Sequence, residues 1–168
     1  GPRAIGEPLL QLEGLSPGRL DPASFTLHRG EILGIAGLLG AGRTRLLRGL
    51  FGLDAVQSGS VKMGLHTGPT APADWWRHGM GMLSEDRTGE GLATNLNVAD
   101  NLTMTRLEGP VRGVFVSPAR QRNSAKQWID RLETRATGPA QEVSRLSGGN
   151  QQRVVLAKWL AGDVRIFI

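Results

Sequence analysis

A chain of 168 residues is long enough to bury one sizeable core, and 39% hydrophobic with 21% charged residues is an ordinary globular composition. No run approaches the roughly 18–20 apolar residues of a membrane-crossing helix, no signal peptide is visible, and the absence of cysteine excludes disulfides and thiolate metal sites. The net charge of +5 comes from basic residues dispersed along the chain, which reads as solvation rather than as a nucleic-acid surface.

Residues 8–36 read as strands: Leu10 and Leu12, then Phe25 and Leu27, alternate, and Glu31–Ala36 is a β-capable run, with turns at Asp21-Pro22 and Arg29-Gly30. Gly37–Gly42 is too glycine-rich for regular structure. Thr44–Phe51 follows as a helix, with Leu46, Leu47 and Leu50 at helical spacing and Gly52 as its stop. Gln57-Ser58-Gly59 is a turn, Ser60–Met63 a strand and Gly64–Pro72 a loop. Ala73–His78 is a helical turn whose Trp75 and Trp76 are expected in the core or against a membrane subunit rather than as a stacking platform. Met80–Leu83 reads as a strand that runs into Ser84-Glu85-Asp86-Arg87. Val98–Leu107, Pro118–Thr137 and Asn150–Leu160 read as helices. Ser117 caps the second, with proline at its first position, and Trp128, Ile129 and Leu132 give it an apolar face. The third turns Val154, Val155, Leu156 and Trp159 inward; Gly162 ends it, and Val164–Ile168 begins a strand. The expected architecture is α/β: a β-rich part over 1–87, a helical insert over about 88–160, and the start of a further strand over 161–168.

Two motifs carry chemistry. Gly37-Leu38-Leu39-Gly40-Ala41-Gly42-Arg43-Thr44 stands between a predicted strand and a predicted helix, the context of a phosphate-binding loop. Its glycines let backbone N–H groups curl around a phosphate, and the helix N-terminus adds its dipole. Gly37, Gly40, Ala41, Gly42, Arg43 and Thr44 are therefore candidate nucleotide ligands, and the Thr44 hydroxyl a candidate Mg²⁺ ligand. Arg43 stands where a lysine is usual; its forked guanidinium pairs with phosphate, but from a different place. Roughly a hundred residues on comes Leu146-Ser147-Gly148-Gly149-Asn150-Gln151-Gln152. Its small residues let the Ser147 hydroxyl and the backbone of Gly148 and Gly149 approach a γ-phosphate at a positive helix end. The plain alternative is a Ser-Gly-Gly helix cap.

The glycine loop followed at that distance by this heptad resembles the ATP-binding cassette (ABC) ATPases. With Ser84-Glu85-Asp86-Arg87, Gly91-Leu92 and Leu156-Ala157-Lys158-Trp159-Leu160, the chain resembles more narrowly the second nucleotide-binding half of tandem ABC ATPases that serve bacterial monosaccharide importers of the ribose, galactose and xylose type. The resemblance implies a P-loop NTPase fold and ATP with Mg²⁺. It implies Ser147, Gly148 and Gly149 as signature residues completing the site of a partner cassette, and Glu85 at the position of the family's Q-loop glutamine, a catalytic and metal-binding candidate. It also implies location at the cytoplasmic face of the bacterial membrane, a second cassette in the same polypeptide, membrane-spanning permease subunits and an external sugar-binding protein. Arg43 and Glu85 are departures that this subfamily shares.

The expected function is ATP-coupled monosaccharide import. The alternatives are the cassette of a nucleoside importer and a non-hydrolysing nucleotide-binding or interaction module. A coiled-coil ABC ATPase of DNA repair needs a far longer insert between the two motifs, and a GTPase needs a guanine-reading Asn-Lys-x-Asp, which does not occur. Gly1-Pro2 and the strand beginning at Val164 suggest an excised piece of a larger protein. The Walker B Asp and Glu, expected after that strand, do not occur in the chain, so the fold is expected to be incomplete and the chain alone to be inactive as an ATPase.

Overall fold

In the computed structural model, residues 5–104, 117–162 and 164–168 are described, and they form two compact units, one ending at Met80 and one running from Gly81 to Phe167. Gly1-Pro2 and the expected helical residues 105–107 lie outside the described residues.

The first unit grows from β1 (Pro8–Pro17), whose Leu10, Leu12 and Leu15 are all nearly fully buried. β1 is central in an antiparallel sheet, between β2 (Ala23–His28) and β3 (Val56–Met63), and β4 (His66–Gly68) extends the far edge. The register slips where Gly14 and Gly59 meet: a side chain on Gly59, at φ 94°, would lie 2.3 Å from the Gly14 carbonyl oxygen. The loop expected at 64–72 therefore contains a hairpin, β3–β4, turning at Gly64-Leu65. Helix α1 (Arg43–Phe51) lies close to Pro17, since a Cβ on Gly49 would be 2.4 Å from the proline Cγ. Leu50 and Phe51 are buried. Short α2 (Pro72–Arg77) seats Trp75 completely in the core, while Trp76 is half-buried.

The run expected as a strand at 31–36 is not one: Ile32 is 93% exposed, and residues 31–38 have no regular structure. Among the described residues no strand lies alongside to supply a ladder, and β-propensity without a pairing edge does not make a strand.

In the second unit β5 (Met80–Gly81), which straddles the boundary, pairs with β6 (Ile166–Phe167); both are shorter than the expected 80–83 and 164–168. A single π turn, Arg87–Gly91, follows β5. Helices α3 (Val98–Thr103), α4 (Pro118–Arg131) and α5 (Gly148–Leu160) enclose one core, in which Val98, Leu102, Ala125, Ile129, Val143, Leu146, Val154 and Val155 are central. α4 stops six residues short of the expected Thr137. Glu133 adopts a left-handed φ of 51°, and the Glu133 and Thr134 N–H groups bond back to Asp130 and Ile129 carbonyls at 3.2 and 2.9 Å. On α5 the inward residues are Val154, Val155, Ala157 and Lys158; Leu156 and Trp159 are only half-buried.

Candidate functional site

The glycine loop is exposed from Leu38 to Ala41, and Leu39 is fully so. Gly40 and Gly42 both stand at φ 83°, and the Ala41 N–H closes a turn on the Leu38 carbonyl at 3.0 Å. Gly42 is the N-cap of α1, and a side chain there would sit 2.2 Å from Leu20 Cδ2, so glycine is required for both backbone and space. No side chain caps this helix, and no acid stands in its first turn. Its first N–H groups thus present a positive end, flanked by the exposed side chains of Arg43, Thr44 and Arg45. Gly37 packs tightly on Ala41, where an added Cβ would lie 3.0 Å from the alanine Cβ.

Glu85 is exposed, and its neighbours build the turn around it. The Ser84 hydroxyl donates to Glu90 Oε2 at 2.6 Å and accepts from the Asp86 N–H at 3.1 Å. Asp86 Oδ1 accepts from the Gly89 N–H at 2.8 Å, capping the π turn. Ser84 and Asp86 thus hold the turn, while Glu85, like Asp86 and Glu90, is exposed to solvent. Among the described residues no three His, Cys, Asp or Glu side chains cluster to hold a metal.

The Ser-Gly-Gly segment is exposed at the start of α5, two residues earlier than the helix expected from Asn150. Ser147 is its N-cap, and the Gln151 N–H reaches its carbonyl at 2.9 Å. A capping serine normally accepts a first-turn backbone N–H through its hydroxyl; Ser147 makes no such bond, because its Oγ instead accepts from Asn150 Nδ2 at 2.8 Å. The first turn of α5 carries no acid either, whereas α3 is capped by Asn97 and has Asp100 in its first turn. Around Gly149 there is nothing within 4 Å of where a Cβ would stand.

Sequence reasoning missed polar residues that hold the second unit together. Lys158 is buried on α5, and its ammonium donates to the Gly91 carbonyl at 2.6 Å and lies 5.3 Å from the Trp159 ring centroid. Burial holds its pKa below the ordinary lysine value. Asn101, fully buried on α3, accepts from the Ala93 N–H and donates to the Ala93 and Asn97 carbonyls at 2.9–3.0 Å. The available signal was positional: each is a polar residue on an otherwise apolar helical stripe. Of the histidines, His66 is exposed, and His28 is half-buried; its backbone N–H, donating to Glu31 Oε2 at 2.8 Å, and then its ring, 3.0 Å from the same oxygen, lower the Glu31 pKa.

Known proteins resemble this chain over nearly its whole length. The sequence profile of the ABC transporter family matches residues 20–168. The chain belongs to that family. It is similar to a putative ribose/galactose/methyl galactoside import ATP-binding protein of Rhizobium etli, 40% identical over 98% of this chain and 32% of the relative. A ribose import ATP-binding protein of Rubrobacter xylanophilus is 45% identical over 96% of this chain and 33% of its own length. An arabinose import ATP-binding protein of Azospirillum brasilense is 40% identical over 99% and 33%. The chain thus spans about a third of the length of these curated relatives. Among solved structures, a dimeric post-hydrolysis ATP-binding cassette bound to ADP and Pi superposes with a TM-score of 0.77 at 21% identity, covering 95% of this chain and 72% of that one. A nucleotide-free cassette of an ABC transporter gives 0.74 at 17%, covering 96% and 68%. These likenesses establish the P-loop NTPase fold of an ABC ATPase, with its β-rich N-terminal part. Among the described residues no helix is long and apolar enough to cross a membrane.

Proposed function

We propose that the chain is the second, degenerate ATP-binding cassette of a tandem ATPase driving monosaccharide import, and that its chief catalytic contribution is made in trans. Gly149 carries the reading. Neither its backbone nor its surroundings demand glycine, since its φ lies outside the left-handed region and an added Cβ would meet nothing within 4 Å. What a glycine provides there is close approach for something from outside, and the positive end of α5 selects an anion.

The Ser147 hydroxyl and the backbone beside it then serve the γ-phosphate of ATP held by the partner cassette. Fixed donors aimed at the charge that develops on a transferring phosphoryl group are the main catalytic device available to such a site. Gly37–Thr44 hold a second nucleotide at the α1 end. The exposed Glu85 carboxylate is by its chemistry a candidate donor to a hard cation, and so is the exposed Thr44 hydroxyl, which follows the phosphate loop directly and is suited to Mg²⁺. Bound there, Mg²⁺ neutralises phosphate charge. Arg43 gives this second site a longer, forked cation, which suits slow or absent hydrolysis.

Relatives named for ribose, galactose, methyl galactoside and arabinose import support a sugar as cargo. The partners are the other cassette of the same polypeptide, membrane-spanning permeases at the cytoplasmic face, and through them a sugar-binding protein outside. The test is ATP turnover by the complete polypeptide with its permeases, carrying Ser147→Arg or Arg43→Ala. Ser147→Arg is expected to abolish turnover and Arg43→Ala to spare most of it. Equal losses refute the division of labour.

A further inference from the structure

We propose that Asn150 is a positioning residue that orients the Ser147 hydroxyl so that its proton faces outward to the phosphate. This rests on the reading of Ser147 as a phosphate ligand. The argument begins at the far end of α4. The left-handed Glu133 turns the chain so that the next N–H groups fold back, Glu133 to Asp130 and Thr134 to Ile129. The following N–H, that of Arg135, has no carbonyl of its own helix to reach and points to α5, where Asn150 Oδ1 accepts it at 3.0 Å. Arg153 holds the same turn, donating from Nη1 to the Glu133 carbonyl at 2.5 Å.

A backbone N–H only donates, so the Asn150 atom facing Arg135 is the carbonyl oxygen. The other end of the amide is thereby the NH₂ group, and it lies 2.8 Å from Ser147 Oγ. An NH₂ carries hydrogens and no usable lone pair, so Oγ is the acceptor in this pair. The serine's own hydrogen is driven out of that direction into the remaining staggered positions. Among the described residues Ser147 Oγ makes no other hydrogen bond, so its proton faces the exposed side, in front of the helix end. A chain of two hydrogen bonds, Arg135 N–H to Asn150 and Asn150 to Ser147, thus converts a rotating hydroxyl into a preset donor. Orientation fixed before the reaction is what makes such a donor effective.

Asn150→Asp separates orientation from packing. The aspartate is nearly isosteric, still accepts from Arg135, and adds an acid to the first turn of α5, where negative charge is favourable to the fold. It replaces the NH₂ by an oxygen, toward which the Ser147 hydroxyl turns inward. The experiment is a double-mutant cycle of Asn150→Asp and Ser147→Ala in the complete polypeptide, reading kcat, KM for ATP and melting temperature. Ser147→Ala and Asn150→Asp are each expected to lower kcat by about 10²-fold, with melting temperature retained, and Asn150→Asp is expected to cost little more once Ser147 is gone. Equal cost of Asn150→Asp in both backgrounds means that charge repulsion acts on the nucleotide directly, and it overturns the proposal. Unchanged kcat for Asn150→Asp, beside a crippled Ser147→Ala, overturns it also. If Ser147→Ala is itself fully active, the signature reading fails first. Should Asn150→Asp lower the melting temperature, the same cycle with Asn150→Ala decides: a several-fold loss confined to the Ser147 background supports the tether, and the same loss in both backgrounds refutes it.

Discussion

Replacing Gly149 by alanine should make the protein more stable and less active. The open space around its Cβ position means the methyl group meets no clash. Gly149 lies within α5, so the substitution removes backbone entropy from the unfolded chain and gains helix propensity, together about 0.5–1 kcal/mol. For a domain the size of this 168-residue chain that is a rise of roughly 1–4 °C in its melting temperature, and proportionally less where a longer polypeptide melts as one unit. The same methyl group stands on the exposed surface of the helix end, between the first-turn N–H groups and any approaching phosphate. Blocking that approach costs on the order of 10²–10³ in turnover, the usual worth of one preset donor. Differential scanning fluorimetry and a steady-state phosphate-release assay on the same complete polypeptide read both quantities. A rise in melting temperature with full turnover would establish Ser147-Gly148-Gly149 as a helix cap and end the functional reading. A fall in melting temperature would contradict the open geometry itself.

Lys158 makes stability depend on alkaline pH. Its folded-state pKa is lowered by burial, so in the interval up to the ordinary lysine value near 10.5 the unfolded chain binds more protons than the folded one. Stability should therefore rise with pH through that interval, and a denaturant titration at roughly pH 8 and 10 reads the slope. With no tyrosine or cysteine in the chain, and with Lys62 and Lys126 exposed, Lys158→Met should remove it; a slope that survives refutes the assignment. Asn101→Ala deletes the partners of the Ala93 N–H and of the Ala93 and Asn97 carbonyls, and should cost about 1–3 kcal/mol in the same titration. A cost within experimental error would mean that water replaces the side chain.

What the sequence made legible was the local, repetitive information. Alternating Leu10 and Leu12, the helical spacing of Leu46, Leu47 and Leu50, and the proline start of α4 each fix an element without reference to the rest of the chain. In the glycine loop, Gly40 and Gly42 were legible because each answers to a left-handed backbone. The failures have one physical origin, dependence on a partner distant in sequence. Residues 31–36 have strand propensity, but no ladder forms beside them among the described residues. The end of α4 is set by a left-handed Glu133, a conformation more often taken by glycine, and its turn is held from α5 by Arg153 and Asn150. The burial of Lys158 depends on the Gly91 carbonyl, far away in sequence, being placed against it.

The two candidate ends differ in how firmly the protein holds them, and the difference bears on which one does chemistry. Ile32, in the segment leading into the glycine loop, and Leu38, within it, are largely exposed, and among the described residues the loop is closed by the turn from Ala41 to Leu38. The start of α5, by contrast, is fastened on several sides: Asn150 to Arg135, Gln151 Nε2 to the Val143 carbonyl at 3.1 Å, and Arg153 to Glu133, with Lys158 pinning the other end of the helix to Gly91. Stabilising a transition state requires donors that do not reorganise when charge appears, whereas binding a nucleotide tolerates a loop that closes around it. A firmly held signature end together with a less firmly held phosphate loop is the distribution of order that the proposed division of labour calls for.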